Sequence, residues 1–135
     1  MMAVLVSLDR FQAEPSIGTV FLHPVRSHKT MRFLLKVNIP NDAGNAAARA
    51  GSLGKTIKAI LEEQKPEAVY FSDDRGQRCG YLFIEMADAS QIPAFAEPWF
   101  QAFNAHIELH PVMTMEDLAK AGPDIKRAVK QFGKK

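Results

Sequence analysis

The stretch MRFLLKVNIP, beginning at Met31, places Phe33, Leu35, Val37 and Ile39 on one side of an extended chain and Arg32, Leu34, Lys36 and Asn38 on the other. That alternation is the period of a half-buried strand. After the loop NDAGN the period changes, and Leu53, Ile57, Ile60 and Leu61 recur at helical spacing. The helix is expected to end before Pro66, because proline disfavours a helical residue ahead of it. EAVYFS and CGYLFIEM follow as two β-rich runs, and the turn-forming cluster DDRGQR between them, with Gly76, predicts a hairpin. DASQIPAFAEPWFQAFN predicts a second helix, with Asp88 or Ser90 available to cap it and Pro98 as a candidate break. AHIELHPVM predicts the fourth strand. A last helix is expected after Thr114, where Asp117 completes a capping box; it is interrupted at Gly122-Pro123 before Ile125, Val129 and Phe132 resume the spacing.

The predicted order is β-α-β-β-α-β with an extra C-terminal helix. This is an α+β chain in the ferredoxin-like arrangement, with helices on one face of a four-stranded sheet. It occupies residues 31–135. Residues 1–30 mix short apolar runs with Pro15, Gly18 and Pro24, and are expected to be a poorly ordered N-terminal extension.

MRFLLKVNIPNDAGN, PEAVYFSDDRGQRCGYLFIEMADASQIPAFAEPWF and IELHPVMTMEDLAKAG resemble a small bacterial family of uncharacterised proteins in the dimeric α+β barrel superfamily. The resemblance covers residues 31 to about 132. It implies a homodimer in which the open sheet faces pair into a barrel. It implies no activity, because that superfamily contains monooxygenases, isomerases, haem proteins and stress-related binding proteins.

A length of 135 residues suits one core. With 47% hydrophobic and 24% charged residues the composition is that of an ordinary globular protein, and no apolar run approaches the roughly 20 residues that cross a bilayer. The opening MMAVLVSLDR lacks a basic n-region and a clean cleavage site, so secretion is not expected. The single cysteine, Cys79, fits a reducing compartment, and a cytoplasmic setting is the expectation. Charge is uneven: residues 31–125 carry nine Lys and Arg against thirteen Asp and Glu, whereas residues 126–135 carry five basic residues and no acidic one. A nucleic-acid binder spreads basic residues over a folded face with aromatics among them, and this chain does not. Neither nucleic acid nor membrane is an expected partner.

One string invites a nucleotide-loop reading, Gly51-Ser52-Leu53-Gly54-Lys55-Thr56. A phosphate-binding loop also needs a glycine five positions before Gly54, and position 49 is Arg. The string is better explained as part of a helix, in which Ala50, Gly54, Ile57 and Leu61 share one face and Gly54 would let the backbone lie close to the sheet.

The candidate chemistry lies on the strand face opposite the core. Parity places Lys36 and Asn38 there from the first strand, Tyr70 and Ser72 from the second, Cys79, Tyr81, Phe83 and Glu85 from the third, and His106, Glu108 and His110 from the fourth. Lys36 is expected near His106 or Glu108, and Arg32 near His110. Two readings follow. In the first, Lys36, Asn38, Tyr70, Tyr81 and Phe83 bind a small apolar or aromatic molecule, and His106, Glu108, His110 or Glu85 orient it or move a proton. In the second, the charges pair across strands or a dimer interface and the chain is a non-enzymatic interaction module.

A metal site is not expected. His106 and His110 on a strand stand about 13 Å apart, too far for one ion. Cys79 lacks an activating motif and reads as a small packed thiol. His23 and His28 lie in the N-terminal segment and carry no assignment. No cofactor is implied, and whether a reaction occurs is left open.

Overall fold

A computed structural model describes residues 29–135. The expectations for the N-terminal extension therefore fall almost wholly outside the described residues. The elements are β1 (Met31–Ile39), α1 (Asn41–Arg49), α2 (Leu53–Gln64), β2 (Ala68–Asp74), β3 (Gln77–Met86), a short 3₁₀ turn (Ala89–Gln91), α3 (Ile92–Phe103), β4 (His106–Pro111), α4 (Met115–Lys120) and α5 (Gly122–Phe132). The four strands form one antiparallel sheet in the order β2-β3-β1-β4.

The alternation in β1 decides which face is buried. Leu35, Val37 and Ile39 join Leu82, Ile84 and Met86 of β3 beneath Ile60 of α2 and Trp99 and Phe103 of α3. On the opposite face Cys79 alone is buried.

Three local expectations need correction. The stretch NDAGN is the start of helix α1, not a loop. The close backbone approach belongs to Gly44, where an added Cβ would lie 3.2 Å from Ile39 Cγ2; a Cβ at Gly54 would meet nothing within 4 Å. Gly54 itself is exposed, while Ile57 and Leu61 of the same helix pack against the core. Pro98 does not break α3, which runs unbroken from Ile92 to Phe103. Proline has no N–H to give the carbonyl four residues before it, which here is Ala94. Gln64 compensates: its Nε2 donates to Phe95 O at 2.9 Å and to Ala94 O at 3.4 Å, while its Oε1 accepts from Trp99 Nε1 at 3.1 Å. One amide thus ties the end of α2 to the proline turn of α3 and satisfies the buried indole.

The other boundaries follow their local signals. α2 ends at Gln64, with Lys65 in the left-handed region just before Pro66. Asp88 accepts from Ser90 N at 2.8 Å ahead of α3. The capping box at α4 is complete, with Thr114 Oγ1 accepting from Asp117 N and Asp117 Oδ2 accepting from Thr114 N.

Gln64→Ala should destabilise the fold by about 1–3 kcal/mol, because it strands the buried indole N–H and the carbonyl that Pro98 leaves free. Urea denaturation followed by Trp99 fluorescence measures this; an unchanged midpoint would refute the role of the clip.

Candidate functional site

The register assembles the open face in rows. Tyr70, Tyr81, Lys36 and Glu108 stand opposite one another across β2, β3, β1 and β4; the next row is Ser72, Cys79, Asn38 and His106. Ala68, Phe83, Leu34 and His110 form the row on the other side. The face predicted from parity is therefore assembled as expected.

Lys36 is its centre. The side chain is 21% exposed, and Nζ lies 3.0 Å from Asp74 Oδ2 and 3.3 Å from Glu108 Oε2. Asp74 reaches it from the end of β2, across β3. Its own partner on β3 is Gln77, and the reach is diagonal, past the row that holds the buried Cys79 opposite Asn38. The Cys79 thiol donates to Asn38 Oδ1 at 3.1 Å, and Asn38 Nδ2 donates to Asp74 Oδ2 at 2.8 Å. Beyond Glu108, Oε1 stands 3.4 Å from His110 Nε2. A polar chain therefore runs across all four strands.

These contacts set the ionisation. The Asn38 amide, followed by Lys36, holds the Asp74 carboxyl below its ordinary value; Lys36, followed by His110, does the same for Glu108. The hydrogen bond to Asp74 is the main cause that raises Lys36. Burial pushes the Cys79 thiol up, which leaves it protonated and able to donate, and its hydrogen bond with Tyr81 raises that phenol.

Beside this chain opens a cleft of about 530 Å³, lined by Lys36, Asn38, Asp74, Arg75, Gln77, His106 and Glu108. Four of the candidate residues, Lys36, Asn38, His106 and Glu108, meet there. Tyr81 stands next to Lys36 in its row, while Tyr70 and Phe83 share the face without lining the cleft. His110 stands opposite Leu34, not beside Arg32. Arg32 instead pairs with Glu67, which raises the guanidinium's pKa. Glu85 accepts from Thr30 Oγ1 at 3.0 Å and lines a separate hollow of about 430 Å³, with Arg32, Met113 and Asp117.

Asp74, Arg75 and Gln77 were not among the expected site residues. Continuing the parity of Tyr70 and Ser72 by two residues reaches Asp74. Arg75 is the first of two loop residues in the β2–β3 hairpin, where Arg75 and Gly76 have φ of 54° and 78°. Positive φ at both positions is the primed two-residue turn, which favours Asn or Gly where this chain has Arg.

Among the described residues no three His, Cys, Asp or Glu side chains gather closely enough to hold a metal ion, and no helix is long and apolar enough to cross a membrane. Residues 31–126 match the family described as "Domain of unknown function (DUF3303)". No curated protein and no solved structure matches the chain.

The pH dependence of the network has a definite sign. With pKa values below their ordinary 3.8 and 4.5, Asp74 and Glu108 stabilise the fold above those values, and the contribution is lost as pH falls through the lowered ones. Lys36, raised above 10.5, contributes fully below that pH and loses its contribution as pH rises through the raised value. Carboxyl NMR titration should find both acids below their ordinary range in the native chain and shifted upward in Lys36→Met. Ordinary values in the native chain would contradict the paired geometry.

Proposed function

The chain belongs to the DUF3303 family, whose description assigns no activity, and from its own geometry we propose that it binds a small organic acid on the open sheet face of a homodimer. The observation that carries this reading is the cleft beside Lys36, with Arg75 at its rim in a backbone conformation unfavourable for a side chain of its kind. Non-glycine residues in the left-handed region cost roughly 1 kcal/mol or more, and they concentrate at functional positions. Lys36 is already engaged by two carboxylates, whereas Arg75 forms no salt bridge among the described residues. Arg75 and His106 would take the acid group, and Glu108 and Asp74 would accept from a hydroxyl or amine. Tyr81, with Phe83 and Tyr70 farther along the face, would carry an apolar or aromatic body. If a reaction follows binding, His106 and Glu108 are the groups placed to move a proton.

The strand order β2-β3-β1-β4, with its helices on one face, supports the finer reading of a ferredoxin-like subunit. Pairing of two such open faces into a dimeric α+β barrel would close the cleft from solvent. A cytoplasmic setting belongs to the same reading.

One observation favours the second reading, an interaction module without ligand. Lys36, Asp74, Glu108 and Arg32 all have partners, and among the described residues no buried side-chain nitrogen or oxygen lacks one.

Amide NMR shifts on adding benzoate, acetate or inorganic phosphate separate the two. The binding reading expects shifts centred on Lys36, Asn38, Arg75 and His106, with benzoate reaching Tyr81; no response from any of the three would favour the interaction module. Arg75→Asn should raise stability by about 1 kcal/mol by relieving the turn while weakening benzoate binding about tenfold, a loss of about 1.4 kcal/mol. Unchanged binding would remove Arg75 from the site.

A further inference from the structure

The C-terminal helix has no adequate partner within its own chain. Ile125, Ala128, Val129 and Phe132 recur at helical spacing, yet every residue from Pro123 to Lys135 is exposed, with Ile125, Val129 and Phe132 at 51%, 64% and 75%. Its main neighbour is the six-residue α4, which itself exposes Met115 and Leu118. An eleven-residue helix is shorter than the roughly 12–15 residues that persist alone in water, so the apolar stripe needs a surface to cover it.

A matching surface exists on the same chain. Edge strand β2 exposes Tyr70 at 66% and Phe71 at 57%, one on each side of the sheet, together with Ser72 and Asp73. Asp73 makes no salt bridge among the described residues, and Glu67 stands just before the strand. α5 carries Lys126, Arg127 and Lys130 beside its apolar stripe, with Lys134 and Lys135 following. An apolar stripe flanked by cations is thus complementary to an aromatic edge that carries Asp73 and, at its start, Glu67 in its pair with Arg32, on a body where acidic residues outnumber basic ones.

We infer that α5 is an exchanged arm, docking on edge strand β2 of a second copy of this chain. The inference rests on the homodimer proposed above and names the element that seals it. Area supports it. Four strands about 4.8 Å apart and averaging about eight residues present roughly 500 Å² of flat face, short of the ~800 Å² per partner of a standard stable interface. An arm about 16 Å long and about 10 Å wide contributes on the order of 160 Å² where it is given and again where it is received, which brings the total near that size. The reciprocal exchange obeys two-fold symmetry, and it covers an edge strand that would otherwise be open to unwanted pairing.

The test uses the full chain. Light scattering after gel filtration should show a dimer, and Ile125→Asp combined with Phe132→Asp should weaken it at least about tenfold, with any loss of circular dichroism confined to the helical signal of α5 and the Trp99 fluorescence of the core unchanged. Asp73→Lys should weaken the dimer as well, and adding Lys126→Glu and Lys130→Glu should restore part of the affinity. Mixing a Val129→Cys chain with a Ser72→Cys chain should give a disulfide between copies. A monomeric native chain would overturn the homodimer and the arm together. A dimer that the two aspartates leave unchanged would overturn the arm alone. An arm that orders on phosphatidylglycerol vesicles, with no effect of its variants on self-association, would assign the helix to a lipid surface and overturn the inference.

Discussion

The alternation of β1 is the constraint on which the remaining structure depends. Because β1 lies between β3 and β4, its odd residues enter the core and its even residues form the open face, and a slip of one position would exchange the two sets. Leu35, Val37 and Ile39 resist that slip because it would bring Lys36 and Asn38 under Trp99. Lys36 resists it from the other side, since its partners Asp74 and Glu108 come from the two edge strands and are in reach at one register only. Hydrophobic burial supplies the driving force, and the ion triad adds specificity to it.

The two faces are supported by different devices. On the core side, Pro98 would open a gap in α3 beside the largest buried side chain, and Gln64 fills it from the neighbouring helix. On the open side, Asp74 reaches diagonally across β3 to Asn38 and Lys36, and the buried Cys79 thiol holds the Asn38 amide that meets it. Each device uses one residue whose size or hydrogen-bonding capacity matters more than its hydrophobicity. The result is a platform with Lys36, Asp74 and Glu108 toward one end of the open face, Arg32, Glu67 and Glu85 toward the other, and Tyr70, Tyr81 and Phe83 between them.

The single chain leaves apolar surface that the proposed homodimer would cover. The open face, the edge strand β2 and the helix α5 each leave apolar surface in water, and the polar cleft lies on that open face; in the proposed homodimer a second copy would enclose it. A ligand site formed at the meeting of two faces would gain its low-dielectric surroundings only on assembly, so binding and dimerisation would be thermodynamically linked.

Much of this was legible in the sequence, because parity and helical spacing are local and periodic. The strand faces and the Thr114 capping box follow from counting residues along the chain, as does the departure of the glycine string from phosphate-loop spacing at Arg49; the nearness of Lys36 to His106 or Glu108 needed the strand order as well, and the structure pairs it with Glu108. Other features depended on distances that no local period encodes. NDAGN became a helix and Gly44, not Gly54, received the close contact, because the path of the chain after β1 is set by what packs there. Arg32 turned to Glu67 instead of His110, and Asp74 joined Lys36, because side chains choose partners across strands by reach and by the size of what lies between. The sequence by itself determined which residues share a face; only the tertiary structure decided which of them touch, since contact depends on register, intervening volume and the competition among charges for the same partner.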